Sequence, residues 1–433
     1  MDTINNGTYD NDPLAEAIRV SFEKTKDNFS EIESEWIYRV GERISAHSVV
    51  VSDDADLYAH DSQVLAVNYS TKELVLIAYQ CDKVTKNEYQ TTQHYRLIIY
   101  NAQTRTIEDS IEVAKGNTEY NGITLADAGI GKPRMFDLGT GYIRLTFNCS
   151  DNVYYRDLSL SDYTLGNVAV FQVRIRNAAN DGWDASPVDL TVANLSTHCE
   201  RCGGGAIPSA APTYTLIPHV AGMDSIQQVG SDYYFSCEAY YGNSGDYGIA
   251  FLMSSTDLSD WVVYPPVYLD TTTYTNNKTS ESAFVYIDDK WHVISRANNY
   301  LYASSEDGGL TWSSQAASGL INPNSGSKTS AAYVNIQTGA ATYRPIAFFA
   351  YNKDTLIYKS LYGRTTMGLS YTADMVNFTD IAIMVNYRTN HYPSICYHNG
   401  LIYMTYTTTM GATNTDRNTV MLAVFNPYKQ LMI

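Results

Sequence analysis

The sequence predicts an all-β fold, a β-propeller of six blades, preceded by a short N-terminal α-helical arm. From residue 46 onward, short apolar strands alternate with turns rich in Gly, Asp and Asn. A strand–turn–strand unit recurs six times in this part of the chain. Seven-residue apolar periodicity, which is typical of helices, is confined to residues 13–45. A double β-sandwich is the other fold that the strand pattern allows.

The clearest of the six repeated units covers residues 283–294, where two apolar runs flank the polar turn 288–290. The other units share this pattern and lie at 64–79, 135–147, 225–236, 331–350 and 394–406. Their irregular spacing indicates blades with outer insertions of different lengths, so residues 46–433 are assigned to the propeller. Residues from about 174 to 222 match no blade, and we expect them to form a long insertion.

Residues 1–45 are predicted to form the helical arm. Asp12 and Pro13 are typical of the first turn of a helix, and Gly41 is typical of its end. Apolar side chains between them follow a heptad spacing, at Ile18, Phe22, Thr25, Phe29, Ile32 and Trp36. A helix with so few heptads is only marginally stable in water by itself. We therefore expect it to pack against another surface. That surface belongs either to its own domain or to a neighbouring subunit, and the sequence leaves both open.

The charge and apolarity of the chain exclude two classes of partner. The chain carries 46 acidic and 29 basic residues, a formal net charge of −17. Such a surface repels phosphate backbones, so we expect no nucleic-acid partner. The most apolar stretch, 210–223, is interrupted by Pro212 and Pro218, so we expect no membrane-spanning helix. The 37 tyrosines have amphipathic rings that suit contacts with sugars.

The six cysteines are too few for a disulfide framework in a chain of 433 residues. Reduced thiols, in a protein made in a cytosol, are the simplest interpretation. Cys199 and Cys202 form a C-x-x-C pair beside His198, which is half of a zinc site if Cys237 completes it. The absence of a second such pair in the sequence favours free thiols. We therefore expect no metal and no cofactor.

Residues 305–312 match the motif S-x-D-x-G-x-T-W at every fixed position. In such a turn Ser305 and Asp307 cap backbone donors, Gly309 supplies a positive φ and Trp312 packs between sheets. Looser copies follow two other hairpins, with acidic and aromatic positions at Asp257, Trp261, Asp374 and Phe378. The motif resembles the Asp-box of sialidase-like β-propellers, and this resemblance implies that fold for the C-terminal half of the chain.

In a propeller the innermost strands begin at one end of the central channel, so polar side chains at their starts converge. Here the predicted starts carry Arg134, Asp224, Glu281, Lys328 and Tyr392. These side chains either bind a substrate or face water and order one another. Because fold does not fix function, the sequence leaves open whether the protein is an enzyme.

Two of these positions resemble the catalytic residues of a retaining exosialidase. The segment 391–395, His-Tyr-Pro-Ser-Ile, is similar to the strand that carries the nucleophilic tyrosine of that family. Glu281 precedes Arg296 by 15 residues, as the activating glutamate of the family precedes an arginine. The resemblance implies Tyr392 as the nucleophile and Glu281 as its activator. A tyrosine suits this reaction because an anionic sugar repels a carboxylate nucleophile.

The same resemblance implies a substrate site built from arginines. Three guanidinium groups, those of Arg134, Arg296 and Arg364, would clamp the carboxylate of the sugar, with Asp224 at the neighbouring strand start. The sequence departs from the family at residues 132–135, where Lys-Pro-Arg-Met replaces the F/Y-R-I-P motif.

The sequence does not identify the general acid of such a reaction. Asp137 and Asp151 are both candidates, with nothing to choose between them. A glycosidase that uses two carboxylates, Asp224 and Glu281, is an alternative mechanism.

Residues 12–32 carry a second resemblance. The runs Asp-Pro-Leu-Ala-Glu-Ala-Ile and Asn-Phe-Ser-Glu-Ile are similar to a leader, DPLxxAxxxxFxKxxxNFxEL, of virion proteins of tailed bacteriophages. This resemblance implies a tail, fibre or neck protein, made in the cytoplasm of the bacterial host and located in the virion. It implies binding to other virion proteins through the arm, and several copies per particle.

We therefore expect a structural virion protein whose propeller is a docking or host-glycan-binding head, since repeated weak sites gain from many copies. The alternative is a sialidase-like glycoside hydrolase that cleaves a host surface glycan. A bacterial lectin-like surface module is a third option, which the absence of a signal peptide disfavours.

Overall fold

The structure is a computed structural model. It describes residues 37–39, 42–44, 47–51, 58–84, 92–204, 219–222, 226–241, 247–267, 281–296, 300–314, 316–320, 328–337, 343–352, 366–385, 390–409 and 418–427.

The described residues are almost entirely β-structure, as the sequence predicts. The strands are β1 (Ile37–Arg39), β2 (Glu42–Ile44), β3 (His47–Val50), β4 (Tyr58–Tyr69), β5 (Lys72–Asp82), β6 (His94–Asn101), β7 (Thr106–Lys115), β8 (Glu119–Tyr120), β9 (Ile123–Thr124), β10 (Ile130–Asp137), β11 (Tyr142–Cys149), β12 (Asn152–Ser159), β13 (Ala169–Val170), β14 (Gln172–Val173), β15 (Val188–Asp189), β16 (His219–Gly222), β17 (Gln227–Val229), β18 (Asp232–Tyr241), β19 (Tyr247–Ser255), β20 (Val262–Val263), β21 (Ala283–Ile287), β22 (Lys290–Ser295), β23 (Leu301–Ser305), β24 (Ala316–Ala317), β25 (Ser330–Gln337), β26 (Tyr343–Asn352), β27 (Thr366–Thr372), β28 (Thr379–Val385), β29 (Asn390–His398), β30 (Leu401–Thr409) and β31 (Asn418–Phe425). The helix α1 (Val192–Arg201) lies between β15 and β16.

The strands form successive antiparallel meanders. The paired runs are β4 to β7, β10 to β13, β16 and β18 to β20 with β17 beside β18, β21 to β24, β25 to β28, and β29 to β31. One parallel pairing, between Asn418 of β31 and Tyr58 of β4, joins the last run to the first in a single sheet. Each repeated unit of the sequence coincides with the first strand pair of one meander. The turn of the clearest unit contains Asp288 and Asp289, whose φ values are 52° and 57°. Two positive φ angles match the twist of the flanking strands, which is why polar turn residues mark these hairpins.

The N-terminal strands complete sheets that the C-terminal strands begin. β3 pairs with β31, and β1 pairs with β28 and carries β2 on its outer side. The unpaired backbone groups of an edge strand favour such additions. The predicted arm lies in residues 1–45. Residues 1–36 lie outside the described part of the chain, so their helix stays a prediction, whereas β1 and β2 are strands.

Side-chain oxygens join neighbouring meanders close to the starts of their first strands. Ser394 Oγ in β29 accepts a hydrogen bond of 3.2 Å from Val64 N in β4. Ser330 Oγ in β25 accepts one of 3.1 Å from Ile395 N in β29. Gln63 Oε1 in β4 accepts one from Met135 N in β10. These buried bonds hold the first strands of different meanders side by side, so that their starts face one region.

The segment predicted as an insertion, residues 174–222, is described over 174–204 and 219–222. Its first part pairs with the edge strand β20 through Arg174 and Val262. The prediction is wrong for residues 219–222, because they form β16 and pair with β18 in the third meander.

Helix α1 of the insertion begins at the cap Thr191, whose side chain accepts from Asn194 N. His198, near the end of α1, accepts from Arg176 N at 3.0 Å and bonds Tyr264 O at 2.9 Å. Burial lowers the pKa of His198 to about 4, so the ring is neutral at pH 7. Both ring nitrogens therefore bond backbone groups of the insertion and of the neighbouring sheet, and Nε2 also lies 3.7 Å from Cys202 Sγ.

No helix within the described ranges combines the length and the apolarity needed to cross a bilayer.

Candidate functional site

A non-glycine residue with a positive φ recurs near the starts of the first strands. Asp61, Lys132, Glu281 and Tyr392 have φ values of 46°, 48°, 49° and 54°. The ladders of β4, β10 and β29 shift register across the first, second and fourth of these residues. Non-glycine residues in the left-handed region cost on the order of 1–3 kcal/mol and are concentrated at functional sites. The recurring positive φ values therefore indicate that the candidate site lies at this end of the strands.

Asp61 lies at the centre of the site. Its Oδ1 atom is 2.6 Å from Lys328 Nζ and 3.2 Å from an Arg134 nitrogen. Its Oδ2 atom is 3.5 Å from Lys132 Nζ. Burial alone raises the pKa of Asp61, but the three positive charges outweigh it and hold the pKa well below its usual value. Asp61 is therefore a buried, ionised carboxylate that forms ion pairs with side chains from two other meanders.

Glu281 is the second buried carboxylate of the site. Lys132 Nζ donates to its Oε1 atom at 2.9 Å, and Arg296 donates to its Oε2 atom. Its backbone N–H donates to the Glu238 carboxylate at 2.6 Å. Burial would raise the pKa of Glu281, but the charges of Arg296 and Lys132 lower it well below its usual value. Glu281 is therefore ionised and fixes the position of Arg296.

Tyr392 lies beside these ion pairs. Its hydroxyl oxygen accepts a long hydrogen bond, of 3.5 Å, from Arg296 Nη1. The ammonium groups of Lys132 and Lys328 lie 5.5 Å and 5.9 Å from the centre of its ring. The Arg296 side chain is 26% exposed, against 7% for Lys132 and 2% for Lys328. A ligand that reaches the site therefore meets Arg296 first, since Tyr392 is only 8% exposed.

The structure brings together Arg134, Glu281, Arg296, Lys328 and Tyr392 from the predicted set. Asp224 and Arg364 lie outside the described residues. Arg134 differs from the expected substrate clamp because it is fully buried. Its two terminal nitrogens donate to Asp61 and to a neighbouring backbone carbonyl. Arg134 thus holds Asp61 in place.

Both candidates for the general acid belong to turns. Asp137 accepts from Gly139 N at 2.8 Å, in the turn that follows β10, at the opposite end of that strand from Lys132. Asp151 accepts from the Asn152 side chain at 3.2 Å, in the exposed turn between β11 and β12. Their contacts give each of them a local role in a turn.

Sequence reasoning missed two members of the site, Asp61 and Lys132. A repeated dipeptide is the signal that could have found them: a charged or phenolic residue followed by Ser, Thr or Pro. It occurs as Asp61-Ser62, Lys132-Pro133, Glu281-Ser282, Lys328-Thr329 and Tyr392-Pro393. The second residue of each pair enters or precedes the first strand of a meander, so the dipeptide marks equivalent positions.

The three Asp-box turns share one hydrogen-bond pattern. The carboxylates of Asp257, Asp307 and Asp374 accept from backbone N–H groups two to four residues further on, at 2.8–2.9 Å. The preceding hydroxyls of Ser255, Ser305 and Thr372 donate to the same carboxylates at 2.8–3.1 Å. Each turn joins the third and fourth strands of its meander.

The aromatic positions of these turns pack into the sheets. Trp312 meets Phe284 with ring centres 5.7 Å apart, and Phe378 meets Phe349 at the same distance. Trp261 is buried against Phe136 at 5.8 Å. In each case the ring anchors an exposed turn to a buried strand, and so the three boxes have a structural role.

Solved structures similar to this chain include two sialidases and an arabinanase. A sialidase from Trypanosoma rangeli, bound to the inhibitor DANA, aligns with a TM-score of 0.56 and 14% identity, over 87% of this chain and 56% of its own. A mutant sialidase from Streptococcus pneumoniae aligns with a TM-score of 0.51 and 12% identity, over 87% of this chain and 70% of its own. An α-L-arabinanase from Penicillium chrysogenum aligns with a TM-score of 0.51 and 10% identity, over 89% of this chain and 99% of its own.

At these identities the likeness shows the fold, which is that of sialidase-like β-propellers. The chain spans little more than half the length of the Trypanosoma rangeli sialidase that it matches. No family model matches the sequence. No curated protein matches it either.

Proposed function

We propose that this chain is a sialidase-like glycoside hydrolase that acts on a surface glycan carrying an acidic sugar. The observation that carries the proposal is the contact of Arg296 with both Glu281 and the Tyr392 hydroxyl at the open end of the first strands. The similar structures of known sialidases support the same class of reaction.

We also propose that the meanders are six blades closed into a ring. The bond between Ser394 and Val64 supports closure because it joins the last meander to the first. At the other end of the same strands, the amides of Asn68 and Asn399 form two reciprocal hydrogen bonds, of 3.4 Å and 3.0 Å. A closed ring explains how distant segments deliver side chains to one site.

The charge of the site supports an anionic substrate. Within the described residues, four cationic side chains pair with the carboxylates of Asp61 and Glu281; they are Lys132, Arg134, Arg296 and Lys328. The carboxylate of Glu238 lies beside them and accepts from the backbone N–H of Glu281. The positive surplus attracts a carboxylate-bearing sugar, and Arg296 is the cation that such a group can reach.

Tyr392 would supply the nucleophilic oxygen. Its oxygen loses its proton to water and attacks the anomeric carbon as the bond from that carbon to the leaving-group oxygen breaks. The leaving-group oxygen takes up a proton from water, and a second water later breaks the bond between tyrosine and sugar. Because Glu281 stays ionised, we assign it to holding Arg296 against the phenol oxygen. There the positive charge stabilises a developing phenolate.

A fluorogenic sialoside assay tests this proposal. We expect turnover by the wild-type chain and a loss of at least about 10³-fold in Tyr392→Phe, as for other essential nucleophiles. Tyr403→Phe is the matched control: it removes a hydroxyl from the same meander, one that donates to Glu73. Turnover that survives in Tyr392→Phe, or no turnover in the wild type, contradicts the proposal.

A second candidate function is a non-catalytic docking or glycan-binding head of a virion protein. The observation that favours it is the pairing of Lys328 and Arg134, 2% and 0% exposed, with Asp61. Cations that are already neutralised order the channel without any substrate. In this proposal the N-terminal arm binds other virion proteins.

Deletion of residues 1–36 tests the second candidate while leaving β1 to β3 in place. We expect the truncated chain to remain folded and to be lost from purified particles. Incorporation equal to that of the full chain excludes the arm as the anchor.

A further inference from the structure

His60 lies against Tyr392 and has no role in the reaction described above. It directly precedes Asp61 in β4, and it is 3% exposed. Its ring centre is 4.3 Å from that of Tyr392, and the two planes meet at 61°. Tyr58 stacks on His60 at 5.2 Å, with the planes 22° apart. The ring of His391 lies 5.0 Å from that of His60 and 5.6 Å from that of Tyr392. The imidazole thus packs among three aromatic side chains, one of which is the proposed nucleophile.

A hydrogen bond fixes the orientation of the imidazole. Gln80, opposite His60 in the neighbouring strand β5, places its amide nitrogen 3.3 Å from His60 Nδ1. This contact ties one ring nitrogen of His60 to the side chain of Gln80. Rotation of the imidazole breaks this bond, and so the face that Tyr392 contacts is fixed by β5.

The orientation of the Tyr392 side chain depends on the groups that surround its ring. Its φ of 54° is a strained value for an L-residue, and Pro393 follows it. On its charged side the ring meets the ammonium groups of Lys132 and Lys328, and at its hydroxyl it meets Arg296. His60 contributes the aromatic contact on the side of the first meander.

We propose that His60 is a positioning residue that keeps the Tyr392 hydroxyl at Arg296; this inference rests on the proposed function. Loss of the imidazole leaves a void beside the phenol ring. The ring can then turn into the void, which moves the oxygen away from Arg296 and from the anomeric carbon. A misplacement of about 1 Å at a reacting atom can cost on the order of 10²-fold in rate.

Kinetics of His60→Ala and His60→Phe test the inference. We expect kcat to fall roughly 10- to 100-fold in His60→Ala, with KM within about threefold of the wild type, because substrate binding at Arg296 is retained. Phe fills the same space and restores most of kcat. The matched control is His292→Ala, since His292 is also buried and stacks on a tyrosine, Tyr302, at 5.8 Å. Equal losses of kcat in His60→Ala and His292→Ala overturn the inference.

A spectroscopic measurement separates this inference from the proposed function. With 3-fluorotyrosine in place of Tyr392, the fluorine resonance reports the surroundings of the ring. We expect His60→Ala to shift or split this resonance and His292→Ala to leave it unchanged. A wild-type chain without turnover refutes the hydrolase alone, and the resonance still decides the role of His60. An unchanged resonance in His60→Ala overturns the positioning role.

Discussion

The site cluster and the Asp-box turns keep their carboxylates ionised in opposite ways. Asp61 and Glu281 are buried, and side-chain cations neutralise them, most of which come from other meanders. Asp257, Asp307 and Asp374 are exposed, and backbone N–H groups of their own turn satisfy them. The first arrangement depends on the whole fold, whereas the second needs only a few consecutive residues.

This difference sets the energies at the two places. A buried charge that loses its partners costs several kcal/mol, because water cannot replace them. An exposed carboxylate that leaves a turn costs about one hydrogen bond, because water solvates the freed groups. Substitutions at the two places should therefore differ in size, and the predictions below run from the largest effect to the smallest.

We expect Asp61→Asn to lower the free energy of unfolding by about 3–5 kcal/mol, because Lys132, Arg134 and Lys328 lose their shared counter-charge. Denaturant unfolding measures this loss. Asp307→Asn is the control, with an expected loss of about 1 kcal/mol. Equal losses in the two variants contradict the contrast between the two regions.

Because Asp61→Asn can prevent folding, Lys328→Met and the double variant complete a thermodynamic cycle. We expect a coupling of at least about 1 kcal/mol between the two positions, with the double variant more stable than the sum of the single losses implies. Additive losses argue against a direct electrostatic contact.

We expect Gly309→Ala to cost about 2–3 kcal/mol and Gly308→Ala about 1 kcal/mol. Both glycines have positive φ values, 98° and 74°. Only at Gly309 does an added Cβ meet a neighbour, Leu252 Cδ2 at 3.1 Å. Thermal unfolding of the two variants measures the difference, and equal destabilisation shows that steric contact adds nothing to the backbone strain.

The smallest expected effect is the loss of folding stability at acid pH that comes from one Asp-box turn, the turn that contains Asp257. The backbone N–H groups of Asp260 and Ser259 lower the pKa of Asp257 to about 2. The folded pKa lies below the unfolded value of about 3.9, so this stabilisation is complete above that pH and is lost as the pH falls toward about 2.

Because solvent screens this exposed group, we expect about 1 kcal/mol from it. Denaturant unfolding between about pH 5 and pH 2.5 should show a shallower loss of stability in Asp257→Asn than in the wild type. Parallel pH profiles contradict the shifted pKa of Asp257.

Local features of the fold were readable from the sequence. The hairpins and the Asp-box at residues 305–312 are formed by residues that are close together in the chain, so their patterns can be recognised in the sequence. Glu281, Arg296 and Tyr392 were found through a family resemblance, and the structure places them in contact.

The partners of the site were not readable in this way. Asp61 lies 73 residues from Arg134 and 267 residues from Lys328 along the chain. No local pattern links residues at such separations, and a charged residue in a sequence otherwise indicates a solvated surface. Only the repeated dipeptide at the strand starts reflects their common position.

Covalent trapping tests the central claim most directly. The chain is incubated with 2,3-difluorosialic acid, and its peptides are examined by mass spectrometry. We expect the peptide that contains Tyr392 to gain the mass of one fluorosialyl group, and the Tyr392→Phe chain to gain none. An unlabelled wild-type chain, or label on another residue, contradicts a tyrosine nucleophile at the meeting point of the first strands.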